Sequence, residues 1–188
     1  LPQEVPLKTA KDYENYIARL RAWPRFMDEQ IAHMRAGLKR GFTVPRATLE
    51  GYDTTISAHV LDDPSKSVFW EPFADFPASV PASEHQRLRE QGRAAVLAAI
   101  GAYRQFLDFF RKEYLPGART TLAAYELPNG RAYYAQKIRE FTTLELTAEE
   151  IHQKGLAEVA RIEVEMRAVM KQAGFEGDFA AFLKFLRS

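Results

Sequence analysis

Histidines, a run of glutamates and two adjacent tyrosines are the residues in this sequence with catalytic potential. The four histidines, His33, His59, His85 and His152, are scattered. No pair stands at i and i+4 and no H-E-x-x-H occurs. The spacing that presents two imidazoles to zinc from one helical face is therefore absent. Glu149 and His152 stand at the Glu-x-x-His spacing of di-metal helical bundles, but those sites need a second copy on a facing helix, and none exists. With no cysteine, the chain has no disulfide, thiolate zinc site or cysteine nucleophile. Neither a G-x-S-x-G elbow nor a glycine-rich phosphate loop is found. The chain holds no catalytic set and no metal set of its own.

The carboxylates read most simply as helix chemistry. Glu149 and Glu150 open a helical segment, where acids favour the positive end of the macrodipole. Glu158, Glu163 and Glu165 alternate with apolar positions as a solvated face does. Tyr133 and Tyr134 are different. Adjacent helical residues project roughly 100° apart, so one ring can pack while the other reaches a cleft. A tyrosine hydroxyl can hydrogen-bond a substrate carbonyl or a developing oxyanion. Arg139, on the same segment, can pair with a peptide carboxylate or with Glu140 or Glu145. Tyr133, Tyr134 and Arg139 are the candidate substrate-binding residues. The plain alternative for the tyrosines is one in a core and one on a surface.

The elements that carry these residues are helices. Apolar spacings of three and four predict helices over residues 8–39, 45–61, 83–114, 131–142, 148–173 and 178–187. Thr9, Thr43, Ser83, Thr147 and Asp178 stand at N-cap positions, with Ser83-x-x-Gln86 and Thr147-x-x-Glu150 as capping boxes. Pro24 is expected to kink or divide the first helix, and Gly41, Pro116-Gly117 and Gly174 to end theirs. A short turn is expected near Thr121–Tyr125. Residues 62–81 differ in composition: Pro64, Pro72, Pro77 and Pro81 alternate with Phe69, Trp70, Phe73 and Phe76. That stretch reads as a structured loop, either packed down as the cap of a bundle or serving as a lid or cleft wall. No run of alternating β-branched residues supports a strand. The expected fold is all-α: one domain over residues 1–188, a multi-helix array of long antiparallel helices with one long Pro/aromatic-rich loop.

Composition narrows the partners. Hydrophobic residues make up 46% and charged residues 27%, the profile of a soluble globular chain. Twenty-six Lys and Arg against 25 Asp and Glu leave +1, without the basic excess that nucleic-acid binders show. No run of about 18 apolar residues spans a membrane, and LPQEVPLKTAKDYENY carries no signal-peptide pattern. Leu1 is not a methionine, and DFAAFLKFLRS stops inside an amphipathic pattern, so both ends read as cuts in a longer frame.

The segment ELPNGRAYYAQKIREFTTLELTAEEIHQKGLAEVARIEVEM resembles the signature stretch of the domain-of-unknown-function-885 family of bacteria. The matching positions include Pro128, Gly130, Tyr133, Tyr134, Arg139, Phe141, Thr142, Thr143, Thr147, Glu149, Glu150, His152, Gly155, Glu158, Arg161, Glu165 and Met166. LPQEVPLKTAKDYENYIARL, GLKRGFTVPRATLEGYD and FRKEYLPGARTTLAAY are similar too, so the likeness covers essentially the whole chain. The resemblance implies a helical protein about three times as long, related to gluzincin-type zinc metallopeptidases. Its H-E-x-x-H helix would lie beyond Ser188, so no metal ligand or general base carries over. On this reading the chain is the N-terminal cleft-wall part of a metallopeptidase-like hydrolase, inactive by itself. Zinc belongs to the full-length protein. The partners are the C-terminal remainder and a peptide substrate, with no nucleic acid. The resemblance also suggests a periplasmic or envelope setting. The competing reading is a stand-alone helical module that grips a peptide or partner with the loop from Phe69 to Phe76.

Overall fold

The computed structural model describes residues 5–187, and the two ends read as cuts, Leu1 and Ser188, lie outside them. Among the described residues the structure is helical and holds no strand, in line with the all-α expectation. Contacts divide the chain into two compact units, Leu1–Pro128 and Asn129–Ser188.

The first unit is built on two long helices. α1 spans Ala10–Arg40. Thr9 accepts the amide of Asp12, and the Asp12 carboxylate returns to the Thr9 backbone, closing a capping box. At the other end Gly41 takes φ 75°, the left-handed stop that glycine adopts without penalty. The helix runs unbroken through Pro24. Residues 45–61 do not form the single helix the spacing predicts. They hold a 3-10 turn at Arg46–Thr48 and the short α2 at Asp53–Ser57, separated by Gly51 at φ 76°. The hydroxyls of Thr48, Thr54, Thr55 and Ser57 each donate to a carbonyl three residues back, bonding that competes with helix propagation. Thr43 caps nothing; its Oγ1 accepts the Arg119 amide at 3.0 Å.

The Pro/aromatic segment contains a 3-10 turn at Pro64–Lys66 and the four-residue α3 at Glu71–Ala74. α4 then spans Ala82–Phe109, widens to a π turn over Phe110–Tyr114, and closes with α5 at Leu115–Gly117. Pro81, not Ser83, holds the N-cap of α4, without a side-chain cap bond. His85 meets the Val80 carbonyl at 3.0 Å there. The π turn lies just ahead of Pro116, which has no N–H to give a carbonyl four residues back. The expected turn near Thr121–Tyr125 is a 3-10 turn at Ala124–Glu126.

α1 and α4 run side by side in the same direction, not antiparallel as expected. The rungs between them ascend together. Arg87 donates to Glu14 at 2.9 Å, Gln105 to Asp28 at 2.9 Å, and Arg35 grips Glu113 through two bonds. These exposed pairs report the register more than they stabilise it. The reason for the direction is the connection. It climbs back beside α4: Arg111 donates to Asp53, His59 packs on Tyr103, Arg89 donates to the Phe73 carbonyl, and Phe76 stacks on His85. Its aromatics are core. Phe73 is 0% exposed and packs on Tyr13 and Tyr16, while Phe76 and Val80 are also buried. Burial of a phenylalanine this complete contributes about 1.5–3 kcal/mol. The packed-down reading of the loop therefore holds for Phe73 and Phe76.

The second unit holds α6 (Gly130–Thr142), α7 (Ala148–Gln172) and α8 (Phe179–Phe185). Thr147 and Glu150 form the expected capping box of α7, and Asp178 accepts the Ala181 amide to cap α8. Among the described residues no helix is long and apolar enough to cross a membrane.

Gly92 sets how closely the connection can approach α4. A Cβ at that position would lie 2.6 Å from the Phe73 ring. Alanine would gain about 1 kcal/mol of helix propensity but overpack a ring with nowhere to move, at about 1–3 kcal/mol. Gly92→Ala should therefore lower stability by up to about 2 kcal/mol, read as a lower urea midpoint at unchanged slope.

Candidate functional site

The residues proposed from sequence for substrate lie on α6, whose ends are both unusual. Asn129 precedes it at φ 57° and Thr143 follows it at φ 60°. A β-branched residue in the left-handed region is strained and needs local bonds to hold it. Thr143 Oγ1 donates to the Thr142 carbonyl at 2.6 Å, and Thr142 Oγ1 donates to the Ile138 carbonyl at 2.7 Å and accepts the Leu144 amide at 3.1 Å. The paired threonines thus form the turn that ends α6.

Tyr133 and Tyr134 are 55% and 44% exposed, so neither is the core residue of the plain alternative. Lys137 lies 5.8 Å from the Tyr133 ring centroid and 5.7 Å from that of Phe141. By helical phase, Tyr133, Tyr134, Lys137 and Phe141 share one side of α6, and Arg139 projects from the other. The Arg139 guanidinium pairs with Glu145 at 3.1 Å. The structure therefore brings the two tyrosines together and holds the arginine apart from them.

α7 carries the rest of the signature stretch. Its carboxylates are engaged as a solvated face would have them. Arg161 bridges Glu158 and Glu165, Arg167 pairs with Glu163, and Gln153 donates to Glu149. Glu150 accepts both the amide and the hydroxyl of Thr147, at 2.7 and 2.8 Å. The apolar stripe on the same helix is largely uncovered. Val159 is 64% exposed and Val169 54%, and Leu156, Ile162 and Met166 are exposed with them. Only Met170 is buried along the whole of α7. An apolar helical stripe normally faces a core, and a contiguous one in solvent marks an interaction surface.

Zinc does not fit the residues present. Among those described, no three of His, Cys, Asp or Glu come together. His85 meets the Val80 carbonyl, His59 lies between Phe69 and Tyr103, and His33 and His152 are exposed.

Sequence reasoning missed an aromatic cavity in the first unit. It measures about 310 Å³ and is lined by Tyr16, Arg19, Trp23, His59, Phe69 and Tyr103, among others. Burial pushes the Tyr103 hydroxyl above its ordinary value; burial, then the charge of Glu71, does the same for Tyr16. Both stay neutral donors at physiological pH. Trp23 Nε1 is buried without a hydrogen-bond partner, an arrangement that costs about 1–3 kcal/mol. The i, i+3, i+7 spacing of Tyr16, Arg19 and Trp23 was a usable signal. Their meeting with His59, Phe69 and Tyr103 was not visible along the chain.

Fold and surface together define an all-α protein of two helical units, with a bare apolar helix in the second. The chain belongs to the family described as "Bacterial protein of unknown function (DUF885)", whose model matches residues 1–188. No curated protein matches it. A solved structure, the putative lipoprotein from Colwellia psychrerythraea, is similar at 26% identity with a TM-score of 0.64 over 92% of this chain. This chain spans 30% of that protein's length.

The α7 capping box makes a pH-dependent prediction. Glu150 lies below its ordinary value of 4.5, first because of the Thr147 amide and then its hydroxyl. A depressed carboxylate contributes stability that is present above its unfolded value and lost as pH falls through the folded one. The start of α7 should therefore fray in acid. Carbon chemical shifts of Glu149 to His152 should move toward coil as pH falls below 4.5. In Glu150→Gln, whose amide oxygen keeps a neutral box, that movement should be reduced.

Proposed function

We propose that this chain is the helical cleft-wall part of a zinc-metallopeptidase-like hydrolase and is inactive by itself. The observation that carries the reading is the uncovered apolar stripe of α7. A helix so patterned is built to be covered, and the similar solved protein is more than three times as long as the matched region, which spans 30% of it. The partner that completes the stripe is the C-terminal remainder of the same protein. Zinc and the general base belong to that remainder, because the residues here do not fit a metal. Tyr133 and Tyr134 are the side chains the wall offers to a peptide substrate. Arg139 joins them only if its guanidinium leaves Glu145 for a substrate carboxylate. The lipoprotein description of the Colwellia protein supports an envelope setting.

The competing reading, a stand-alone module gripping a peptide with its aromatic loop, has less support. Phe73 and Phe76, two of the aromatics it would use, are in the core.

The test is the reading frame past Ser188 and the activity it encodes. An H-E-x-x-H motif there, with zinc-dependent peptide hydrolysis by the longer chain, is the expected result. A stop codon, or no such motif, overturns the proposal. In the longer chain Tyr134→Ala should lower turnover by at least about tenfold with an unchanged circular dichroism spectrum, because Tyr134 is exposed. Unchanged turnover removes Tyr134 from the site.

A further inference from the structure

α7 contains a glycine that nothing in the described fold uses. Gly155 lies inside the helix, where glycine is weaker than any residue but proline. Elsewhere in the fold a helical glycine marks a close contact. A Cβ at Gly92 would meet the Phe73 ring at 2.6 Å, and one at Gly37 would meet the Phe42 carbonyl at 2.7 Å. At Gly155 that point has no described neighbour within 4 Å. Gly101 is open too, but exposed Arg104, Gln105 and Asp108 follow it at helical spacing, so it belongs to a solvated face. Gly155 lies instead, by helical phase, among Ile151, Val159 and Ile162, within the bare apolar stripe.

Two apolar hollows begin one turn further along. One, of about 310 Å³, lies between Val159, Ile162 and Met166 of α7 and Phe179 of α8. The other, of about 280 Å³, lies between Ile162, Met166 and Val169 and Phe182. Each has room for a large apolar side chain. The charges at their edges are already matched, Arg167 with Glu163 and Glu165 with Arg161. Five glutamates against four Lys and Arg leave α7 slightly acidic, which disfavours an anionic lipid surface. A point of close backbone approach followed by holes for side chains is what helix-on-helix packing requires. A loop laid on the same face would bring unpaired amides and carbonyls against apolar side chains.

We propose that the element covering α7 is a single amphipathic helix of the C-terminal remainder, its backbone closest at Gly155 and its apolar side chains seated in the two hollows. The inference rests on the cleft-wall reading for the remainder itself, since the similar solved protein is more than three times as long as the matched region. It does not depend on zinc or on hydrolysis.

The chain has no cysteine, so single introduced cysteines report on each face of α7. Val159, 64% exposed, lies on the stripe, and Val164, 68% exposed, lies on the far side of the helix. In the 188-residue chain Val159→Cys and Val164→Cys should react with a maleimide at similar rates. In the longer chain of the same reading frame Val159→Cys should react at least about tenfold more slowly, with Val164→Cys unchanged. Gly155→Ala then distinguishes a packed helix from loose cover. It should raise the thermal midpoint of the 188-residue chain, where the added Cβ meets open space, and lower that of the longer chain, where it enters the contact. The proposal is overturned if Val159→Cys stays reactive in the longer chain, or if Gly155→Ala raises both midpoints. Concentration-dependent protection of Val159→Cys in the 188-residue chain overturns it in favour of a second copy, and protection only by phosphatidylglycerol vesicles in favour of a bilayer. Protection in a longer chain that lacks H-E-x-x-H sustains it while the peptidase reading falls. Zinc-dependent hydrolysis with Val159→Cys still reactive does the reverse, and a stop codon after Ser188 overturns both.

Discussion

The first unit depends on a directional constraint: α1 and α4 lie side by side and point the same way. Two consecutive helices joined by a tight turn pack antiparallel. Parallel packing requires the chain to travel back along the full length of the first helix before starting the second. The connection from Gly41 to Pro81 makes that journey, and its aromatic residues are what hold it down. Phe73 against Gly92, Tyr13 and Tyr16 is the tightest point of that contact. The connection thus becomes a third layer of the core. Pro64 and Pro72 suit this role, since each stands in the first turn of a short helix, where a missing N–H leaves no bond unmade.

The same strap makes the aromatic cavity. Phe69 and His59 come from the connection, Tyr16, Arg19 and Trp23 from α1, and Tyr103 from α4. Where the strap is flush, as at Phe73, the core is closed. Around Phe69 and Tyr103 the rings stack on one another and leave space beside them. The cavity is a consequence of bridging two parallel helices with stiff aromatic side chains that cannot fill every gap.

The second unit shows the opposite balance. α7 has the capping box, the acidic first turn and the i,i+4 ion pairs that support a helix locally. Each such device contributes little by itself, since its charges are exposed to solvent. The larger contribution to helical stability comes from burying an apolar face, and on α7 that face is bare. The paired threonines that end α6 add backbone strain at Thr143. These are features of a surface prepared for contact, which is why the functional reading rests on α7 more than on any single polar side chain.

Helix type and most helix ends were legible in the sequence because they are set by neighbours a few residues apart. Thr9 with Asp12, Thr147 with Glu150, Asp178, Gly41 and Gly174 all act within one turn, and each is found where its residue type places it. Residues 45–61 misled because hydroxyls and a left-handed Gly51 compete with a helix that apolar spacing alone suggests. The glutamates of α7 were legible as a solvated face for the same local reason. The parallel pairing of α1 and α4 was not legible. It depends on contacts such as Tyr13 with Phe76 and Trp23 with Tyr103, whose partners are far apart along the chain and leave no periodic trace. Tyr133 and Tyr134 were recognisable as a pair, but only the folded helix shows both exposed and Arg139 turned away toward Glu145. Short-range hydrogen bonding and periodicity are written into sequence order. Which distant faces meet, and which face is left uncovered, is decided by packing in three dimensions.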